Sequence, residues 1–184
     1  MLCFGLVCIL VLSGDTIKLA YLPLYIVQGL QQNLVIFGTI LSTSAIAELL
    51  LMPFFGAIAD RIGISALLIV GILFGIVEYL WLAESTAIWQ IYITQALHAV
   101  IISSFYGLGV TYAQRILRGQ TGMASSIFFG AQSLASPVGS LLGSASLTFL
   151  GLPHIFFIPL ISCTMALLLL FMGMGLEKTH GTGG

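Results

Sequence analysis

The sequence predicts an all-α polytopic membrane protein, and three observations lead to this fold class. Hydrophobic residues make up 59% of the 184 residues, and charged residues make up only 6%. Mean hydropathy is +1.17. A soluble domain carries about 25% charged residues, so a soluble globule of this size is excluded. The apolar residues also fall into six long runs, each bounded by a polar or turn-rich break.

Each run is long enough for a helix that crosses a hydrocarbon core of about 30 Å, which takes about 20 residues. Pro137 predicts a kink or tilt in the fifth helix. The first run begins almost at Met1, from which we expect the chain to be part of something longer. The six-helix bundle is predicted over 1–176, with spans at about 3–27, 34–59, 64–83, 87–113, 122–150 and 154–175, and a polar cytoplasmic tail over 177–184.

The basic residues outside the spans predict the orientation of the bundle. Arg61 follows span 2, Arg115 and Arg118 follow span 4, and Lys178 follows span 6, whereas the breaks after spans 1, 3 and 5 carry no Lys or Arg. Cytoplasmic loops carry the excess of Lys and Arg in membrane proteins. Both termini are therefore predicted to be cytoplasmic.

Three charged residues fall in the middle of predicted spans. Asp15 and Lys18 in span 1 have i, i+3 spacing, which puts them on one helix face and within reach of each other. Charges in hydrocarbon are costly and face a partner helix or a water-filled cavity, so the pair is a substrate or proton site or a structural ion pair. Glu48 in span 2 is either protonated or paired across to Lys18. Its role is either part of a proton or substrate path or that of a buried structural carboxyl.

The acids of span 3 are interpreted differently. Glu78 and Glu84 lie towards one end of that span, beside Trp81 and Trp89. Trp is enriched at the membrane interface, so this pattern predicts an aromatic belt with acids that reach the headgroups.

Span 4 carries a polar stripe of Gln95, His98, Ser103, Tyr106 and Tyr112. Gln95 and His98 are three residues apart, and Gln95 and Tyr106 lie about three helical turns apart. A stripe with this spacing either lines a hydrophilic cavity or forms hydrogen bonds with a neighbouring helix.

Small residues predict where helices approach closely. Gly71 with Gly75, and Gly139 with Gly143, form G-x-x-x-G pairs, the spacing that lets two helix backbones touch in a membrane. Pro137 precedes the second pair, and the two together are typical of a helix that flexes or slides.

Several chemistries are missing from the sequence. It contains no P-loop motif, no H-E-x-x-H and no C-x-x-C. We therefore predict that the protein is not an enzyme and uses no metal and no cofactor other than a proton. Five Lys and Arg residues in the whole chain are too few to neutralise a phosphate track, so no nucleic-acid partner is predicted.

The segment from Gly56 to Gly63, GAIADRIG, resembles the G-x-x-x-D-R-x-G signature of the major facilitator superfamily. Gly56 is expected to let helices approach, Asp60 to accept backbone N–H groups at a helix N-terminus, Arg61 to anchor at the interface and Gly63 to permit a tight turn. The basic residues that usually follow the signature are absent, as in the weaker copy found in C-terminal halves.

Other strings resemble the sugar efflux transporters of that superfamily, namely SGDTIKLAYLPLYI, ELLLMPFFGAIADRIG, RILRGQTGMASS and SPVGSLLGS. The resemblance implies a 3+3 repeat and the C-terminal half, spans seven to twelve, of a twelve-span transporter. It also implies export of small sugars or sugar analogues across a bacterial inner membrane by proton antiport. The implied partners are the sugar, the lipid bilayer, and an N-terminal six-span half or a second copy of the chain.

In that family the first and fourth helices of a half line the central cavity. The resemblance makes Glu48 the candidate for proton linkage. A non-transporting six-span protein, such as a degenerate remnant or an assembly factor, is the alternative. Because the first and fourth helices line the cavity in the family, the resemblance places residues of spans 1 and 4 nearest the substrate path. These residues are Asp15, Lys18, Tyr21, Tyr25, Gln95, His98 and Tyr106.

The charge bias makes the topology testable. Reporter fusions after residues 30, 62, 85, 118 and 152 are expected to alternate in location, beginning outside, because every basic break should face the cytoplasm. Two adjacent fusions that report the same side would contradict the six-span topology.

Overall fold

The computed structural model describes residues 1–117, 119–152 and 154–181, with side chains given through residue 174. Within these residues, six helices are long and apolar enough to cross a membrane by length and composition, and no strand occurs. The predicted all-α, six-span fold class is therefore confirmed. Arg118, the side chain of Lys178 and residues 182–184 lie outside the described part.

The helices follow the apolar runs closely. α1 continues into a π-helical turn over Tyr25–Gly29, and a short 3₁₀ turn over His154–Phe156 precedes the last helix. That last helix runs past the predicted end at 175. The bounds are α1 Leu2–Leu24, α2 Val35–Ile62, α3 Ile64–Ala83, α4 Ile88–Ile116, α5 Thr121–Leu150 and α6 Phe157–Gly181.

Local chemistry explains where several helices begin and end. Asn33 Oδ1 accepts the backbone N–H of Val35 at 2.9 Å at the start of α2. At the start of α4, Gln90 Oε1 accepts two backbone N–H groups at 2.7 and 3.0 Å. Gly63 alone separates α2 from α3, and its φ of +90° is one that residues with a Cβ rarely adopt. The tight turn predicted at this glycine is present.

The packing repeats across the bundle. α1 packs mainly against α5 and α6, and α4 packs mainly against α2 and α3. Exchanging the first three helices for the last three converts one set of contacts into the other, as a repeat of three helices requires.

Two helices are poorly covered by the rest of the chain. In their most apolar stretches, α2 and α5 have only 11% and 17% of residues buried, whereas α1 and α4 have 56% and 61%. The bundle is therefore built around α1 and α4, and α2 and α5 present most of their surface outward.

The predicted packing glycines lie at helix contacts. A Cβ at Gly71 or Gly75 would meet side chains of α4, so this pair seats α3 against α4. A Cβ at Gly139 would lie 2.6 Å from the backbone oxygen of Ser13, and one at Gly143 would meet the Tyr21 ring. The second pair therefore seats α5 against α1. α5 continues through Pro137, which is exposed.

The contact at Gly139 predicts a local loss of stability on substitution. Gly139→Ala is expected to cost about 1–3 kcal/mol of unfolding free energy, because the added methyl group meets rigid backbone of α1. Gly130→Ala in the same helix is the matched control, since nothing lies within 4 Å of its Cβ position. Thermal unfolding of the purified protein in detergent measures both, and equal effects of the two substitutions would contradict the close packing of α5 on α1.

Candidate functional site: a polar cavity between α1, α2 and α4

A cavity of about 490 Å³ lies between the middle sections of α1, α2 and α4. Its walls are mixed, with apolar side chains such as Leu41 and Ile102 beside charged and polar groups. Six of the eight residues predicted to lie on the transport path line it together: Asp15, Lys18, Glu48, Gln95, His98 and Tyr106.

Lys18 makes the central ion pair of the site. Its Nζ donates to Glu78 Oε1 at 2.7 Å and to Gln95 Oε1 at 3.0 Å. The side chains of Lys18 and Glu78 are only 1% and 0% exposed. Gln95 is held in place because its Nε2 donates to the backbone oxygen of Ile91 at 2.9 Å. The ammonium group of α1 is thus bound by groups from α3 and α4.

His98 extends this cluster towards the cavity. Its Nδ1 lies 3.1 and 3.2 Å from the two carboxylate oxygens of Glu78, and its Nε2 lies 3.3 Å from Asp15 Oδ1. The imidazole therefore stands between two carboxylates, one on each ring nitrogen. Asp15, Lys18, Glu78 and His98 bring two potential anions and two potential cations together. We call these four residues the charge cluster.

Lys18 forms its ion pair with Glu78, so the alternative in which Asp15 and Lys18 form a structural ion pair with each other is wrong. Both residues lie on one face of α1, but the long Lys18 side chain reaches the buried Glu78 of α3. The shorter Asp15 side chain instead meets His98. The spacing correctly placed both on the buried side of α1 and could not indicate which neighbouring helix held a counter-ion.

Glu78 is the residue that sequence reasoning missed. The sequence pattern predicts an interfacial acid beside Trp81 and Trp89, but Glu78 is fully buried. Trp81 on the same helix and Glu84 just after its end are exposed. The available signal was that Glu78 lies deeper in the apolar run than Glu84, but helical spacing could not select it over Asp15 or Glu48 as the counter-ion of Lys18.

Glu48 lines the opposite wall of the cavity, on α2. Ser44 donates to its Oε1 at 2.6 Å from one helical turn away. The alternative in which Glu48 pairs with Lys18 is wrong, since Lys18 is bound by Glu78 and Gln95. Glu48 is half-buried and has no cationic partner among the side chains described here.

The tyrosines divide between two regions. Tyr106 lines the cavity and is partly exposed, but Tyr21 and Tyr25 do not line it. Tyr21 packs on Gly143 of α5. Tyr25 is buried near one end of the bundle, where its hydroxyl donates to the backbone oxygen of Ser85 and its ring packs edge-on against Phe156. For these two tyrosines the structure therefore shows packing and anchoring contacts.

The Gly56–Gly63 segment lies at the α2–α3 turn, away from the cavity. Nothing lies within 4 Å of a Cβ at Gly56, so the helix approach expected there does not occur within the described chain. Asp60 and Arg61 are exposed, and neither has a hydrogen-bond or ion-pair partner among the described residues. Asp60 does not cap α3, which starts one residue after α2 ends and has no side-chain cap hydrogen bond.

Comparisons with known proteins place the chain among membrane transporters. The family model of the Major Facilitator Superfamily matches residues 4–182. Sugar efflux transporter A of Dickeya chrysanthemi is 29% identical over 121 residues, which is 66% of this chain and 31% of the relative. Sugar efflux transporter B of Salmonella typhimurium is 26% identical over 141 residues, 76% of this chain and 36% of the relative. The chain thus spans about a third of the length of these curated relatives, and no solved structure matches it.

The buried ion pair predicts a large effect on stability. Glu78→Ala is expected to destabilise the protein by about 3–5 kcal/mol, because it leaves the Lys18 ammonium buried without its counter-ion. The double substitution Lys18→Met with Glu78→Met should recover most of this loss, since it removes both charges. Glu84→Ala, at the exposed end of α3, is the control. Thermal unfolding in detergent measures all three, and a double variant no more stable than Glu78→Ala would contradict the pairing.

Proposed function

The chain belongs to the Major Facilitator Superfamily, and from this membership we propose that it forms the C-terminal six-helix half of a secondary transporter. The proposed transporter exports small sugars or sugar analogues across a bacterial inner membrane in exchange for protons. The observation that carries the proposal is the cavity of about 490 Å³ whose walls hold charged, amide, imidazole and phenol groups at the middle of the bundle. The relatives named as sugar efflux transporters support the substrate class.

The lining of the cavity suits a sugar. Sugar hydroxyl groups both donate and accept hydrogen bonds. Asp15 and Glu48 offer carboxylate acceptors, His98 offers a ring nitrogen, and Tyr106 offers a hydroxyl and an aromatic face. The apolar remainder of the wall fits the ring carbons, in keeping with small-molecule sites that combine few polar groups with apolar surface.

Two observations support a second bundle opposite this one. α2 and α5 leave most of their surface uncovered, and Glu48 and Tyr106 are only partly shielded by the described chain. Charged groups that face lipid cost about 2.5–3.5 kcal/mol each on insertion scales. In this superfamily the substrate site lies between two bundles that move against each other. A matched six-helix half would cover the cavity and supply its other wall.

Proton exchange is proposed from the charge cluster. Ionisable residues within membrane spans are rare, and they mark proton and substrate pathways. The charge cluster contains one histidine and two carboxylates in direct contact, and Asp15 and His98 line the cavity. A proton and a sugar can therefore reach the same wall.

The proposal predicts that the chain alone does not transport. We expect no saturable sugar efflux from vesicles that contain only this chain, because one bundle supplies one wall of the site. Efflux should appear when it is co-expressed with the N-terminal six spans of a sugar efflux transporter. Saturable flux from the purified chain alone would contradict the half-transporter proposal. Absence of flux from every assembled pair tested would contradict sugar export.

Within an active assembly, Asp15→Asn should lower sugar flux at least about tenfold, since a hydrogen bond to a charged group contributes about 1.5–3 kcal/mol. Glu84→Gln, an exposed acid outside the cavity, is the matched control and should leave flux unchanged. Protein level in the membrane is measured for each variant by quantitative blotting. Flux that falls only in proportion to protein level would remove Asp15 from the site.

A further inference from the structure

The surroundings of His98 constrain its protonation. A neutral imidazole has one N–H donor and one lone pair, whereas the imidazolium has two donors. Glu78 faces Nδ1 and Asp15 faces Nε2. Only the imidazolium can donate to both carboxylates, and in the neutral form one carboxylate must face a lone pair.

We infer that His98 is the proton-binding group of the cavity, that Nε2 is the nitrogen that gains and loses the proton, and that Glu78 is the positioning residue that holds the ring. The inference deepens the proposed function, on which its role in transport rests, by naming the group through which protons would be exchanged for sugar.

The two sides of the ring are not equivalent. Glu78 is fully buried and does not line the cavity, and its oxygens lie 3.1 and 3.2 Å from Nδ1. The contact of Nε2 with Asp15 is longer, at 3.3 Å, and Asp15 is 15% exposed and lines the cavity. Asp15 Oδ1 is itself buried, and its 3.3 Å contact with Nε2 is not a well-formed hydrogen bond. The Nδ1–H bond to Glu78 is therefore retained, and exchange takes place at Nε2, the nitrogen that faces the cavity-lining Asp15.

The proton balance is simple. A hydronium ion in the cavity transfers a proton to the Nε2 lone pair, one N–H bond forms, and a water molecule is left behind. The reverse step returns the proton to water. Counting Asp15, Glu78, Lys18 and His98, the charge cluster changes from a net charge of −1 to zero.

The neighbouring charges favour this assignment. Around His98, α1 contributes Asp15 and Lys18, α3 contributes Glu78, and α2 contributes Glu48 across the cavity, whereas α5 has no charged residue. Glu78 Oε1 accepts a hydrogen bond from the Lys18 ammonium at 2.7 Å, so Glu78 has a fixed cationic partner whether or not His98 is charged.

The same geometry provides a reason for exchange. When Nε2 holds its proton, the imidazolium faces Asp15 Oδ1 at 3.3 Å. When the proton leaves, Asp15 loses this donor, and its carboxylate becomes the stronger acceptor for a sugar hydroxyl group in the cavity. Proton binding at His98 therefore weakens sugar binding at Asp15, which is the relation that an antiporter requires.

Nitrogen NMR on the assembled transporter tests the protonation directly. The chain is labelled with ¹⁵N-histidine, reconstituted in lipid nanodiscs and titrated from about pH 5 to about pH 9, the range in which histidine changes charge. The His98 signals are identified by their loss in His98→Gln. We expect an imidazolium at low pH and an Nδ1–H tautomer at high pH. His98 neutral throughout, or an Nε2–H tautomer, would overturn the inference.

Variants then test the role of Glu78. Glu78→Gln keeps the shape of the side chain and should reduce the imidazolium fraction of His98 several-fold at a given pH, whereas Glu84→Gln should not change it. An unchanged fraction in Glu78→Gln would overturn the positioning role.

A flux measurement separates this inference from the proposed function. His98→Gln should abolish the dependence of sugar export on a pH gradient, whereas sugar-for-sugar exchange should fall only several-fold, because His98 also lines the sugar cavity. General damage to the fold would reduce both activities equally. Gradient-driven export that survives in His98→Gln but is lost in Glu48→Gln would overturn the inference and leave the proposed function standing. If the His98 signals titrate as expected but the assembled transporter moves no sugar, the proton site is supported and sugar export is overturned.

Discussion

The buried ammonium of Lys18 is the constraint on which the rest of the structure depends. An uncompensated charge in a low-dielectric interior costs several kcal/mol, so the helices around α1 must supply an anion and a hydrogen-bond acceptor at one point. Glu78 of α3 and Gln95 of α4 do so. α1 and α3 otherwise pack little against each other, because α1 lies mainly on α5 and α6. The ion pair therefore fixes a relation between helices that apolar contact alone would leave loose.

The charge cluster also marks a boundary within the bundle. On the side of Glu78 the side chains are sealed by apolar packing, including the fully buried Ile72 and Leu82 of α3. On the side of Asp15 the wall opens into the cavity. One group of residues thus holds the helices together and faces the space where a solute would bind. Stability and function are coupled here, since a substitution on the Glu78 side is expected to change the geometry on the Asp15 side through His98.

The fold was largely predictable from the sequence because hydropathy in a membrane protein reports helix length directly. α3 begins and ends at the residues predicted for it, and the turn at Gly63 follows from a glycine between two apolar runs.

The polar lining was predictable in part, because Asp15, Lys18, Gln95 and His98 are conspicuous within apolar spans. Their partners were not predictable. Helical spacing gives the face of a helix, whereas the choice between Asp15, Glu48 and Glu78 as the counter-ion of Lys18 depends on how three helices cross. Trp81 near Glu78 gave a misleading interfacial signal, because the sequence does not show which side of α3 is covered by other helices.

The turn at Gly63 has a mechanical consequence. With one residue between α2 and α3, only its two backbone torsions are available to alter the angle between these helices, whereas five residues separate the π-helical turn after α1 from α2. Any change of the angle between α2 and α3 must therefore be taken up at Gly63, since the two helices touch each other little and both pack mainly on α4. Glu48 lies on α2 and Glu78 lies on α3. Gly63 is thus the joint between the helix that forms one wall of the cavity and the helix that belongs to the sealed core.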